Sequence, residues 1–191
     1  MEMMENIQNV DWKALCERAY QNAVKHGFFE NRTKGEELML IVTELSEAVQ
    51  ADRDNKFANR MLFEKNFDTP QMNPEEHFKH CYDVLMKNTV EDELADTLIR
   101  ILSYLGYTKT DVDTDYIQGN PVNMVKDFMV GKSFAEQVYT IVFSITREGD
   151  LMCVITRLIA LAIIHDIDLL WHVEQKMNYN ELRPYKHGKK Y

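Results

Sequence analysis

Side chains that cap the N-termini of helices recur along this chain, and they constrain its fold more than any other feature of the sequence. Thr33 and Glu36 have the spacing of a capping box, and Asn73 followed by Pro74 places a capping side chain before a proline at the first helical position. Only seven glycines and four prolines interrupt the 191 residues, and no segment has a convincing period-two strand pattern. The sequence therefore predicts an all-α protein, a packed helix bundle.

The helix signals also predict approximate boundaries. We expect helices over residues 10–26, 33–54, 74–88, 89–106, 133–148, 150–165 and 166–180, with Gly106 ending the fourth and Asp166 capping the last. Residues 107–132 are the least regular part, and a short helix is expected between residues 55 and 73. Because no linker-like stretch interrupts the chain, we expect one domain over residues 1–191.

Charge and cysteine usage narrow the functional classes. The formal net charge is −9, which disfavours broad binding to nucleic acid or to anionic membranes. Cys16, Cys81 and Cys153 are far apart and have no metal-binding spacing, so we expect reduced thiols in a cytoplasmic protein. The most apolar stretch, residues 151–164, contains Arg157 and falls short of the roughly 20 apolar residues that span a bilayer. It is therefore predicted to be a core helix.

A first pair of acids lies at the edge of a buried helix face. In "LIVTELSEAVQAD", residues 40–52, Glu44 and Glu47 are three apart and share a helix face. They lie beside Leu40 and Ala48 rather than among polar residues. A salt bridge to a neighbouring helix and a divalent cation would each explain two carboxylates in this place.

A second pair, Glu93 and Asp96, follows in "EDELADTLIRIL". On a helical wheel this pair lies opposite the apolar stripe, together with Arg100, so one interpretation is an exposed face with a weak Asp96–Arg100 pair. The other interpretation is that both pairs supply carboxylates to one cleft. Ligands that are all oxygen suit Mg²⁺ or Mn²⁺.

The C-terminal end combines basic and amide side chains. Lys176 and Asn180 lie at the edge of an apolar stripe on the last predicted helix, and Arg183 and Lys186 follow in a basic tail, residues 181–191. In an acidic protein these side chains could form an anion site suited to phosphate. A basic C-terminus without a ligand is the alternative, and the residues alone leave both open.

Three stretches together resemble the MazG-like all-α nucleoside triphosphate pyrophosphohydrolases. They are "LIVTELSEAVQA", "EDELADTLIRILSYLGY" and "DIDLLWHVEQKMNYNELRPYKHGKKY". The resemblance implies Mg²⁺-dependent hydrolysis of a nucleoside triphosphate at the α–β phosphoanhydride, which gives the monophosphate and pyrophosphate. It also implies a helical subunit that pairs as a homodimer or homotetramer.

The resemblance assigns roles to individual residues. Glu44, Glu47, Glu93 and Asp96 would be the Mg²⁺ ligands, and Glu47 would also orient the attacking water. The side chains expected near the triphosphate or the nucleoside are Lys176, Asn180, Arg183 and Lys186.

Two features depart from the family pattern. Thr43 stands where the family motif has the first of two consecutive glutamates. Glu37, one heptad before Glu44, could therefore serve as an extra metal ligand. The spacing between the two acidic pairs is also long, which predicts a helical insertion around residues 55–88. The alternative function is a non-catalytic helical oligomer whose acids form salt bridges and whose basic tail binds an anionic ligand or partner.

Overall fold

Ten α-helices form the regular structure in the computed structural model, which describes residues 7–29, 32–67, 73–119, 121–147 and 149–185. In chain order they are α1 (Trp12–Lys25), α2 (Lys34–Arg53), α3 (Arg60–Phe67), α4 (Pro74–Leu85), α5 (Val90–Thr108), α6 (Thr114–Gln118), α7 (Pro121–Met129), α8 (Phe134–Arg147), α9 (Leu151–Ile164) and α10 (Leu169–Glu181). No strand occurs within these ranges, so the all-α prediction is confirmed for them.

The predicted caps determine where the helices begin. The Glu36 amide donates to Thr33 Oγ1 at 3.3 Å, and the Thr33 amide donates to the Glu36 carboxylate at 2.7 Å, which completes the capping box of α2. Asn73 Oδ1 accepts the Glu75 amide at 2.9 Å at the start of α4. These contacts satisfy amides that have no partner inside the helix.

Two predicted helix ends are wrong, each for a local reason. Helix α5 continues past Gly106 to Thr108, because this glycine serves helix packing: a Cβ there would lie 2.5 Å from the Tyr20 Cβ on α1. Helix α10 begins after Asp168 rather than Asp166. Asp166 has φ 57°, whereas an N-cap residue ordinarily has a negative φ in the extended region.

Helix α5 lies at the centre of the packing. It packs against α1, α2 and α10, while α9 packs against α7 and α8. Leu94, Leu98, Ile101 and Leu102 of α5 have no exposed surface. A carboxylate on α5 therefore lies among several helices rather than at the edge of the molecule.

The apolar segment is a core helix, as predicted. Val154, Ile155 and Leu158 of α9 are fully buried. No helix in the described ranges has the length and apolar character needed to cross a membrane.

The predicted insertion contains α3 and α4, which have an apolar cluster of their own. Phe63 of α3 and Phe78 and Tyr82 of α4 are buried in it, together with Tyr179 of α10. The rings of Tyr82 and Tyr179 stack with their centroids 4.3 Å apart. This cluster attaches α4 to α10 and brings Tyr82 close to the acids of α5.

Candidate metal centre and adjoining cleft

Helix α2 supplies the first two acids. Its buried stripe includes Ile41, Leu45 and Ala48, so the helical repeat places Glu44 against α5 and leaves Glu47 one turn further along at the surface. Glu44 is only 3% exposed. The structure therefore separates the first pair into one buried and one accessible carboxylate.

Helix α5 supplies the other acids, and its second pair does not lie on an exposed face. Glu93 is 5% exposed and Asp96 is partly buried, which shows that the exposed-face interpretation is wrong. The helical wheel of α5 suggested solvent on this side, but α2 and α10 cover it. Glu93 lies at the end of the first turn of α5, close to the helix N-terminus, whereas Asp96 lies in the second turn.

Three of the predicted ligands come together. Carboxylate oxygens of Glu44, Glu47 and Glu93 all lie within 4.8 Å of one another. Ligand oxygens around an octahedral Mg²⁺ are about 3–4 Å apart, given Mg–O distances of about 2.1 Å. The cluster is thus close to the size of a Mg²⁺ coordination sphere.

Ionisation of the Glu93 carboxylate is unfavourable without a nearby cation. No hydrogen bond or ion pair reaches its carboxylate from any residue that the structure describes. Burial, together with the neighbouring Asp92 and Asp96 carboxylates, raises the pKa of Glu93 to about 9. A buried carboxylate in this state is neutral unless a cation approaches it.

Glu44 has a fixed cationic partner. Arg100 Nε donates to Glu44 Oε1 at 2.5 Å. Burial and the Asp96 carboxylate raise the pKa of Glu44, and Arg100 opposes them. The salt-bridge interpretation is therefore confirmed for Glu44, which also belongs to the carboxylate cluster. The divalent cation stays a prediction.

Asp96 lies outside that cluster and pairs with Lys176. The Lys176 amino group donates to Asp96 at 2.8 Å and to Asp92 at 2.7 Å, and it is 4% exposed. Burial raises the pKa of Asp96, but Lys176 and Arg100 outweigh it and hold the pKa below its ordinary value. Asp96 and Arg100 do not form an ion pair with each other, because each side chain has a different main partner.

Asp92 was missed at the sequence level. It is 1% exposed, and besides Lys176 it accepts the Tyr82 hydroxyl at 2.5 Å and the Asn88 amide at 2.9 Å. The sequence signal that could have found it is the run of three acids, Glu91, Asp92 and Glu93, in the first turn of α5.

A cleft adjoins the acids on the side of Asp96. The space between its walls is about 670 Å³, open solvent included. Its lining includes Asn22, Phe28, Phe29, Glu37, Asp96, Arg100, Ser103, Asn180 and Arg183. Aromatic, amide and guanidinium groups thus face one space.

Asn180 and Asn22 both line this cleft, but they differ in hydrogen bonding. Arg183 donates to the Asn180 carboxamide oxygen at 3.3 Å, so two of the four predicted substrate residues lie together at the wall. Asn22 Oδ1 is buried and accepts no hydrogen bond from the residues that the structure describes. Sequence reasoning missed Asn22, because a lone asparagine in a helix carries no distinctive pattern.

A second cleft is lined by two members of the carboxylate cluster. Glu47 and Glu93 line it together with Gln50, Asp54, Lys56 and Asn88, and the space between its walls is about 570 Å³, open solvent included. The cluster can therefore be reached by an ion or a water without rearrangement of the core.

Glu37 and Thr43 each have a protein partner of their own. Glu37 is buried and pairs with Arg32 at 3.1 Å, so it is already neutralised by protein. Thr43 donates its hydroxyl to the Met39 carbonyl at 3.0 Å. Lys186 lies outside the described residues.

Comparison of the chain with protein-family models, with curated proteins and with solved structures found no match in any of the three.

Proposed function

We propose that this chain is a Mg²⁺-dependent nucleoside triphosphate pyrophosphohydrolase of the MazG-like all-α type. The reaction is hydrolysis of the α–β phosphoanhydride, which gives a nucleoside monophosphate and pyrophosphate. The observation that carries the proposal is the carboxylate cluster of Glu44, Glu47 and Glu93, in which Glu93 is buried and has no partner among the described residues.

The donor set fits a hard divalent cation. Three carboxylates from two helices offer only oxygen, as Mg²⁺ and Mn²⁺ prefer. A bound Mg²⁺ would neutralise charge on the phosphates of the substrate. Glu44 and Glu93 would hold it from the buried side and Glu47 from the accessible side.

Glu47 is the candidate for the proton-accepting role. It is the exposed member of the cluster and lines the second cleft, so solvent reaches it. In the proposed step a water oxygen attacks phosphorus, the anhydride P–O bond breaks, and the proton of the water passes to the Glu47 carboxylate.

The first cleft is the proposed substrate site. Arg100 and Arg183 contribute guanidinium groups, which suit phosphate oxygens. Phe28 and Asn22 could contact a base by stacking and by hydrogen bonding. Lys176 is held by Asp92 and Asp96, so we propose that it positions Asp96 rather than contacting the substrate.

Subunit pairing is part of the proposal. Exposed aromatic side chains on α8, Tyr139 at 67% and Phe143 at 45%, leave apolar surface that a second subunit could cover. A homodimer or homotetramer remains the expected state.

The test is pyrophosphate release from a panel of ribo- and deoxynucleoside triphosphates, with Mg²⁺, with Mn²⁺ and with EDTA. We expect metal-dependent turnover, and a Glu47→Gln variant should lose about 10²–10⁴-fold in kcat because the proton acceptor is removed. Glu76→Gln, an exposed acid on α4, is the matched control and should retain the rate.

The alternative function makes the opposite forecast. If the acids serve only as structural ion pairs and the basic tail binds an anion, no nucleotide is turned over and Mg²⁺ does not bind. That pair of results would contradict the hydrolase proposal.

A further inference from the structure

We propose that the Arg100 guanidinium takes the place of a second divalent cation, so that the chain binds one metal ion per subunit at Glu44, Glu47 and Glu93. This inference rests on the proposed metal site. It adds the number of ions and the residue that determines this number.

First, Arg100 lies among the acids of the candidate site. Its guanidinium pairs with Glu44 at 2.5 Å, and it lines the same cleft as Asp96 and Glu37. Its side chain is 23% exposed, so it is fixed among carboxylates rather than extended into solvent. Arginine carries its charge at all relevant pH values, which makes it a permanent cation in this place.

The second step concerns the ligands that a second ion would need. One oxygen of Asp96 is bound by Lys176 at 2.8 Å, and one oxygen of Glu44 is bound by Arg100. Thr43, where the family pattern has a further acid, presents a hydroxyl that donates to the Met39 carbonyl. On the side of the site near Asp96, each of these two acids therefore keeps only one carboxylate oxygen that no protein cation binds, and a second divalent cation there would also be repelled by Arg100.

The third step is a charge balance. Glu44, Glu47, Asp92, Glu93 and Asp96 carry five negative charges when ionised, and Lys176 and Arg100 supply two positive charges. One divalent cation neutralises most of the remaining three. The charge that protein groups leave uncompensated includes that of Glu93, which is buried and has no partner among the described residues.

The test is the metal stoichiometry of the full-length protein, measured with Mn²⁺ by calorimetry and by electron paramagnetic resonance. We expect one Mn²⁺ per chain and no spin coupling between two ions. In Arg100→Gln combined with Thr43→Glu, a cation is removed and an acid is added, so we expect two Mn²⁺ per chain and a coupled spectrum.

Two controls separate charge from structure. Arg100→Lys keeps the positive charge and should bind one ion. Arg53→Gln removes an exposed arginine from α2 and should also bind one. Circular dichroism of each variant confirms that the helices are intact.

The outcomes distinguish this inference from the proposed function. Two ions in the unmodified protein, or one ion in the double variant, would overturn the role of Arg100 and leave the hydrolase proposal standing. One ion without any pyrophosphate release would support the inference and contradict the hydrolase. Absence of Mn²⁺ binding would overturn both.

Discussion

At the scale of single residues, the carboxylate of Glu93 is unfavourable to ionise. Its carboxylate is buried beside Asp92 and Asp96, and burial with these neighbours raises its pKa to about 9. The pKa of an unfolded glutamate is near 4.5. Between these two values the folded state holds a proton that the unfolded state releases, so stability decreases as the pH rises from about 4.5 to about 9.

A Glu93→Gln variant tests this assignment. At pH 8 without metal, its thermal midpoint should exceed that of the unmodified protein, because a neutral amide replaces an acid that is costly to ionise. Mg²⁺ at about 100 times its dissociation constant should stabilise the unmodified protein by about 2.7 kcal/mol, but should not stabilise the variant. Glu76→Gln should respond to Mg²⁺ as the unmodified protein does. Equal responses of Glu93→Gln and the unmodified protein to Mg²⁺ would remove Glu93 from the site.

At the scale of helices, the close packing of α1 against α5 requires a glycine. A Cβ on residue 106 would lie only 2.5 Å from the Cβ of Tyr20, which is too close for two carbon atoms that are not bonded. This approach helps to place α5, which carries Glu93 and Asp96, next to α1 with its cleft residue Asn22.

Substituting two helical glycines with alanine should therefore have opposite effects. Gly106→Ala should lower the free energy of unfolding by about 1–3 kcal/mol, because the added methyl group overpacks the interface with α1. Gly35→Ala on α2, where the nearest heavy atom would be 4.0 Å away, should raise it by about 0.5–1 kcal/mol through helix propensity. Urea denaturation measures both. A stabilised Gly106→Ala variant would show that α1 and α5 are not in such close contact.

At the scale of the whole molecule, one buried ion network joins three helices. Lys176 of α10 bridges Asp92 and Asp96 of α5, and Tyr82 of α4 donates to Asp92. The predicted insertion therefore reaches the acids of the candidate site through Tyr82. Since each acid in this network depends on partners from other helices, its stability is a property of the assembled fold.

Removing the cation from this network should be costly. Lys176→Met should lower the free energy of unfolding by about 3–5 kcal/mol, because two buried carboxylates would lose their partner. Arg18→Met removes ion pairs whose acidic partners are 49% and 43% exposed, and it should cost about 1 kcal/mol or less. Chemical denaturation of both variants gives the comparison. Similar losses would mean that the Lys176 pair is as well solvated as a surface pair.

The sequence by itself determined the helical fold and the kinds of side chain that are available at the candidate site. Local signals sufficed for this: Thr33 and Asn73 cap the helices that they were predicted to cap, and Glu44 and Glu47 share a face because of the helical repeat. Gly106 and Asp166 were misassigned, since packing and a left-handed turn override a local end or start signal.

Only the tertiary structure decided how the charges pair. A helical wheel places Glu93 and Asp96 on the polar side of α5, but it cannot show that α2 and α10 cover this side. It likewise predicts a pair between Asp96 and Arg100, whereas Asp96 pairs with Lys176 and Arg100 pairs with Glu44. The reason is physical. On an exposed helix face, an acid pairs with a basic residue one turn away in the same helix. In a buried interface, each charge pairs with the side chain that the packing of other helices places next to it.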